Sequence, residues 1–422
     1  MLALAMPKHV LSIDEQSPVP PGGVDVSELI EKLSVEDLAT TADEYFASQM
    51  DGVDFWHAKP FWHNSEVVDM VITFAHVLDA LRLSPGMRVL DFGAGTGWTS
   101  RYLSQLDLSV VVSDVSPTAL ELARQLYERQ PVIGNKPAPE FLSFDGHHID
   151  LPDASVDRVI CFDALHHTAN PDRVLAEMGR VLKPGGRAAF SEPGPNHSKG
   201  AQSQFEMKNF TVVENDIKIR SIEKWARAAG FDDLKLAVYT GQPFYLSPDG
   251  YERLLARRSE AWHYLEHHRP YLEGRRLFCL HRAGHEAPDS RVREGLAGTL
   301  SVWLDDGTVD EASTIHGSFE AHNTGDSLWL PSSAPRGPVR IGVHLYDAAM
   351  QLVDISYARI DLPAEDGVPP GGTVAGRFEL AAPAAGSYVL QFDLVSESVA
   401  WFETNGTTPA DVPLEVGAAS SA

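Results

Sequence analysis

The chain has 422 residues, more than one compact domain usually holds and enough for at least one large hydrophobic core. Its formal net charge of -25, from 34 Lys and Arg against 59 Asp and Glu, opposes phosphate backbones and anionic membrane surfaces, and no dense basic stripe offsets it locally. Nucleic-acid binding and membrane insertion are therefore not expected, and two domains are the starting point.

The N-terminal stretch MLALAMPKHVLSIDEQSPVPPGG is apolar for too short a distance to be a signal peptide or a membrane span, so residues 1–24 are expected to form a flexible tail on a cytoplasmic protein. VSELIEKL and VEDLATTADEYFASQM then carry apolar residues at helical spacing, and Ser34 with Asp37 gives a capping-box pattern at the second start. The aromatic stretch DFWHAKPFWHNSEVVDMVITFAHVL ends in a periodic helix near Leu83 and reads as part of a helical layer on the core, with a lid over a ligand pocket as the alternative.

From Met87 to about His281, the apolar runs MRVLDFG, SVVVSDV, PEFLSFD, VDRVICF, GRAAFSE, LKLAVYT and RLFCLHR alternate with amphipathic segments. Such alternation predicts an α/β fold with a mostly parallel sheet and helices on both faces. Cys161 and Cys279, the only two cysteines, lie in two of these runs and read as buried thiols, with no disulfide and no zinc site expected. Beyond a polar linker at 284–295, short alternating strands separated by Gly, Pro, Asn and Asp turns predict an antiparallel β-sandwich over 296–405, and small polar residues predict a second tail at 406–422.

The segment VLDFGAGTGWTSRYL carries the most chemical information. Gly93, Gly95 and Gly97 let the backbone turn tightly from a strand into a helix and bring bare N–H groups against a ligand at the helix N-terminus. A dinucleotide pyrophosphate calls for G-x-G-x-x-G, whereas here Trp98 fills the place of the third glycine. Asp114 ends the second strand roughly 20 residues further on, where a carboxylate can accept both hydroxyls of a ribose, so the pattern points to a nucleoside.

DFGAGTG, SDVSP, FDGHHIDLPDASVD, VICFDALHH and EMGRVLKPGGRAAFSEPG follow one another in an order that resembles the class I S-adenosylmethionine-dependent methyltransferases, from about residue 65 to 283. The resemblance implies a Rossmann-like sheet of seven strands within a methyltransferase domain at 25–283, with S-adenosyl-L-methionine as cofactor. It places Asp91 and Gly93 near the methionine portion of the cofactor and gives Gly95 and Gly97, with Ala94 between them, the bare loop. Asp114 is implied to bind the ribose, Val115 the adenine face and Asp145, beside Gly146, the adenine amino group, while the Phe162 carbonyl faces the ammonium.

Methyl transfer from a sulfonium is an in-line displacement on an activated carbon, so positioning and exclusion of water dominate, and a base is needed only where the acceptor must lose a proton. Candidates cluster after the fourth and fifth strands at Asp163, His166, His167, Glu192 and His197, with Glu192 and His167 foremost as catalytic residues. No D-x-D or H-x-H pattern implies a metal. The sandwich resembles the immunoglobulin-like domains attached to polysaccharide-processing proteins, with Trp329, Trp401, Tyr346 and Tyr357 as candidate sugar-stacking residues. That points to a sugar or glycan hydroxyl in cell-surface polysaccharide synthesis as acceptor. The alternatives are a small apolar or lipid-like acceptor with the sandwich joining a homodimer, and a scaffold without catalysis.

Overall fold

The computed structural model describes residues 13–48, 52–239, 245–256, 260–285 and 288–418. The chain divides into two compact units, Met1–Leu83 with Met87–Glu286, and Ser84–Gly86 with Ala287–Ala422.

The first unit opens with helices α1 (Val26–Lys32), α2 (Val35–Ser48), α3 (Val53–His57) and α4 (Val67–Leu81). The capping box forms as its sequence implies: Ser34 N–H donates to Asp37 Oδ2 and Asp37 N–H to Ser34 Oγ, each at 3.0 Å. Strands β1 (Arg88–Phe92), β2 (Ser109–Asp114), β3 (Glu140–Ser143), β4 (Val156–Phe162), β5 (Leu182–Pro193), β6 (Phe231–Leu236) and β7 (Arg275–Arg282) make one sheet. Between them run α5 (Trp98–Gln105), α6 (Pro117–Arg129), α7 (Pro171–Val181), α8 (Ala201–Phe210), α9 (Ile219–Ala228), α10 (Pro248–Leu255) and α11 (Glu260–Gly274).

The strand order is β3-β2-β1-β4-β5-β7-β6. All pairs from β3 to β5 are parallel, and β7 runs antiparallel to both β5 and β6. One face packs on α7 and α9 through Val174, Leu175, Met178 and Ile222, and the other on α4, α5 and α6 through Val77, Leu81, Leu103 and Leu120. This is the Rossmann-like, mostly parallel sheet with helices on both faces that the alternating runs imply. The order reverses beside β1, so the loops after β1 and β4 diverge and open a crevice at the carboxyl ends of the strands. Cys161 and Cys279 are buried thiols in β4 and β7.

The second unit stacks a three-stranded sheet on a larger one around a single core. The first has β8 (Gly298–Leu304), β10 (Thr314–Asn323) and β13 (Thr373–Ala381) in the order β13-β10-β8. The other has β9 (Thr308–Asp310), β11 (Val339–Asp347), β12 (Leu352–Asp361), β14 (Gly386–Ser396), β15 (Ala400–Trp401) and β16 (Ala410–Gly417), in the order β12-β11-β14-β16-β9 with β15 on β14. Phe319, Trp329, Phe378, Phe392 and Phe402 fill the space between the sheets.

Three sequence expectations are corrected. The presumed tail at 406–422 contains β16, because Val412, Leu414 and Val416 alternate along it and pair it with β14, burying Leu414. The presumed linker begins the second unit, since Ser290 is fully buried, donates its hydroxyl to the Gly337 carbonyl at 2.6 Å and accepts from Leu330 N–H. In the first tail, residues 1–12 lie outside the described ones, while Asp14 accepts from the Ile219 and Arg220 amides at the start of α9, at 2.7 and 2.9 Å. An acidic N-terminal cap explains why this polar segment is docked. No described helix is long and apolar enough to cross a membrane.

Candidate active site

A cavity of about 630 Å³ opens at the carboxyl ends of β1, β2 and β4. The loop from β1 into α5 forms its floor with Gly93, Ala94, Gly95, Thr96 and Trp98. Gly95 adopts φ +54°, and a side chain there would project into open space, meeting only Phe46 at 3.7 Å. Gly97, at φ +79°, serves a different purpose: a Cβ would sit 2.7 Å from Ala123, so its bare backbone lets α5 lie close to α6. Gly97 does not line the cavity.

Asp114 lies at the tip of β2 on the cavity wall, its Oδ2 accepting from Gly95 N–H at 2.8 Å and its Oδ1 from Ser116 N–H at 2.9 Å. Each carboxylate oxygen keeps a further lone pair for a ligand hydroxyl. Burial raises the Asp114 pKa, and these two amides work against that rise. Val115, Gly146 and Phe162 complete the same wall, with Phe162 5.3 Å from the Trp98 ring.

Asp91 and Asp145, like Gly97, stand outside the cavity lining. Asp91 is buried below the loop, where Oδ2 accepts from the Thr99 and Ser100 hydroxyls at 2.6 and 2.5 Å and so fixes the first turn of α5. Its burial pushes its pKa up to about 6. Asp145 does not line the cavity; its Oδ1 accepts from His147 and His148 N–H at 2.7 and 2.6 Å and closes a turn.

Glu192 is fully buried. Its Oε1 accepts from Ala164 and Leu165 N–H at 3.1 and 2.8 Å, and its Oε2 from His166 N–H and His166 Nδ1 at 3.3 and 2.7 Å. A carboxylate filled by four N–H donors, with the Cys161 thiol also donating to Oε1 at 3.5 Å, and shut off from the cavity is not placed to take an acceptor's proton. It shapes the turn after β4 instead, a correction to its expected catalytic place.

His167 does line the cavity, its Nδ1 held 2.8 Å from the Val213 carbonyl. Burial opposes its charge, yet Glu214 and the Val213 carbonyl outweigh that and raise its pKa. Beside it, His197 Nε2 lies 2.6 Å from Glu214 Oε2. Burial alone would raise the Glu214 pKa, but the bond to His197 and the neighbouring histidines bring it to about 2. Glu214 had no motif to betray it, because only the loop between α8 and α9 carries it under the histidines.

The aromatic N-terminal stretch forms the opposite wall. Lys59 Nζ stands 4.6 Å and 4.3 Å from the Trp56 and Trp62 ring centroids, and α2 adds Leu38, Tyr45 and Phe46. Burial lowers the Lys59 pKa to about 8, partly offset by Asp163 and Glu66. Asp163 itself is paired with Arg275. Trp56, Lys59, Trp62 and Met70 of the stretch line the cavity, while Val77 and Phe74 pack on the core as the helical-layer reading implies.

Residues 90–190, spanning β1 to β5, match the family model described as a methyltransferase domain. A demethylmenaquinone methyltransferase from Renibacterium salmoninarum is 33% identical over 142 residues, which is 33% of this chain and 56% of that protein. An O-methyltransferase from Pyrenophora dematioidea is 30% identical over 139 residues, 31% of this chain and 51% of that one. The chain spans about half the length of these curated relatives. Among solved structures, an S-adenosylmethionine-dependent methyltransferase from Mesorhizobium loti aligns with a TM-score of 0.38 at 18% identity, over 51% of this chain and all of that one, 100%.

Proposed function

We propose that the chain is an S-adenosylmethionine-dependent methyltransferase acting on a small acceptor enclosed in the aromatic-walled cavity. The observation that carries this reading is Asp114, a carboxylate at the end of β2 with lone pairs left for two adjacent hydroxyls, facing the open side of Gly95. Asp114 would hold the ribose, Gly93 to Gly95 the amino-acid portion, Val115 the adenine and the Phe162 carbonyl the ammonium. When bound, the cofactor supplies an electrophilic methyl group. The chain's residues then hold the acceptor in line and keep water away: Trp56, Trp62 and Phe46 close the cavity, and Lys59 over two rings keeps a cation within it.

The lining favours a flat, apolar-bodied acceptor over a sugar or glycan intermediate. Trp56, Trp62, Tyr45, Phe46 and Met70 offer apolar surface from one side. In the sandwich, Trp329, one of the aromatics expected to stack sugars, is wholly buried in the core. His167 is the group at hand for a proton leaving a hydroxyl acceptor, since it lines the cavity and Glu192 does not.

The test is transfer of labelled methyl from S-adenosylmethionine to two acceptor panels, hydroxylated quinone-like or polyketide-like rings and nucleotide-free glycans. Transfer to the first panel is expected. Transfer to glycans alone would reverse the choice of acceptor, and transfer to neither, with S-adenosylmethionine unbound, would remove the activity.

A further inference from the structure

Among the described residues, His166, His197 and Glu214 bring ligand atoms within 4.8 Å of one another. They come from three loops: the turn after β4, the loop after β5 and the loop between α8 and α9. Glu214 is 3% exposed at its side chain. Its Oε2 meets His197 Nε2 at 2.6 Å, while its Oε1 is buried with no hydrogen-bond partner. His167 Nδ1, 3.4 Å from Oε1, is already committed to the Val213 carbonyl at 2.8 Å, and the neighbouring Glu206 carboxyl brings no positive charge. A buried carboxylate oxygen without a donor costs free energy unless something with positive charge meets it.

His166 adds a second feature. Its Nδ1 bonds Glu192 Oε2 at 2.7 Å, which fixes the ring and leaves Nε2 as the nitrogen outside that bond. A carboxylate on the far nitrogen of an imidazole is how proteins orient a histidine that ligates a metal. The same Glu192 that shapes the turn after β4 thus also fixes this ring.

We propose that His166, His197 and Glu214 bind one divalent first-row transition ion in the cavity wall. Two imidazoles with one carboxylate suit zinc, iron(II) or cobalt(II), whereas magnesium and calcium prefer oxygen ligands. Ligand bonds of about 2.0–2.2 Å require His197 and Glu214 to part slightly, a shift their side chains can make. Three protein ligands leave coordination positions for solvent or an acceptor oxygen, and His166 and His197 both line the cavity. The histidines and Glu214 lie in separate loops, so no short spacing marks the site in the sequence.

The site does not depend on methyl transfer, and it is tested on the full chain after removal of metal by a chelator. Cobalt(II) and zinc(II) are added, unbound metal is removed by gel filtration, and metal content and the cobalt visible spectrum are read. About one ion per chain is expected, with cobalt bands of mixed nitrogen and oxygen ligation that zinc abolishes and magnesium leaves. Glu214→Gln and His197→Asn should each weaken retention by roughly tenfold or more. His316→Asn, at an exposed histidine of β10, should leave it unchanged. Circular dichroism shows whether the variants fold, and S-adenosylhomocysteine binding is measured separately, so loss of the methyltransferase reading would not be mistaken for loss of this one. A folded wild-type chain that retains neither metal, or equal retention in the wild type and both folded ligand variants, would overturn the proposal.

Discussion

Glu192 shows how one residue can be rightly singled out and wrongly cast. Its place at the carboxyl end of β5 marks it as important, but only the fold reveals that its carboxylate is filled by the Ala164, Leu165 and His166 amides and the His166 ring. Glu192→Gln puts an amide NH2 among donors, so at least one buried pair is lost. We expect a loss of about 1.5–3 kcal/mol in denaturant unfolding, the range for hydrogen bonds to a charged group. Unchanged stability with abolished turnover would restore it as a base. Asp91 gives a pH-dependent counterpart. Burial raises its folded pKa from 3.8 to about 6, so between those values the folded state binds more protons than the unfolded one and stability falls as pH rises. The cost is fully present above pH 6, on the order of 3 kcal/mol. Asp91→Asn should flatten the slope of unfolding free energy between pH 4 and 6, and parallel curves for the two proteins would contradict this. The glycine loop and Asp114 were legible because their roles depend on local backbone geometry. Glu214 was not, because its partners come from two distant loops.

At the level of elements, periodicity and caps located the helices well. Ser34 and Asp37 form their box, and Gly230 at φ +84° follows α9 as a C-terminal glycine should. Elements whose pairing is non-local were harder to place: β16 contains Pro413 and draws its pairing from β14, over 20 residues away at most positions. The aromatic stretch was ambiguous for a similar reason, since Trp56 and Trp62 are equally at home in a core or over a ligand. Helix α2 joins its cap to the site, because it carries Leu38, Ala42, Tyr45 and Phe46 into the cavity. Ser34→Ala should cost about 1 kcal/mol locally. Hydrogen exchange in α2 is then expected to quicken while the amides of β1 and β4 stay protected. Equal protection of α2 in both proteins would show that packing alone holds the helix.

For the whole molecule, the alternation of runs sufficed to separate an α/β unit from an all-β one, but it misplaced the second unit's edges. A chain ending at Arg282 retains all seven strands of the first sheet and should fold and bind cofactor. A chain ending at 405 lacks β16 and leaves β14 without its partner along Gly386–Phe392, so its second unit should unfold at lower denaturant than in the full chain. Cooperative unfolding identical to that of the full chain would return β16 to the status of a tail.

The central claim, that the glycine loop and Asp114 form the nucleoside end of a methyl-donor site, is tested most directly by calorimetric titration of S-adenosylhomocysteine into the wild type and Asp114→Ala. Binding of about one ligand per chain is expected in the wild type, weakened in the variant by about 1.5–3 kcal/mol through loss of hydrogen bonds to a charged group. No binding by the folded wild type, or the same dissociation constant in both proteins, would contradict it.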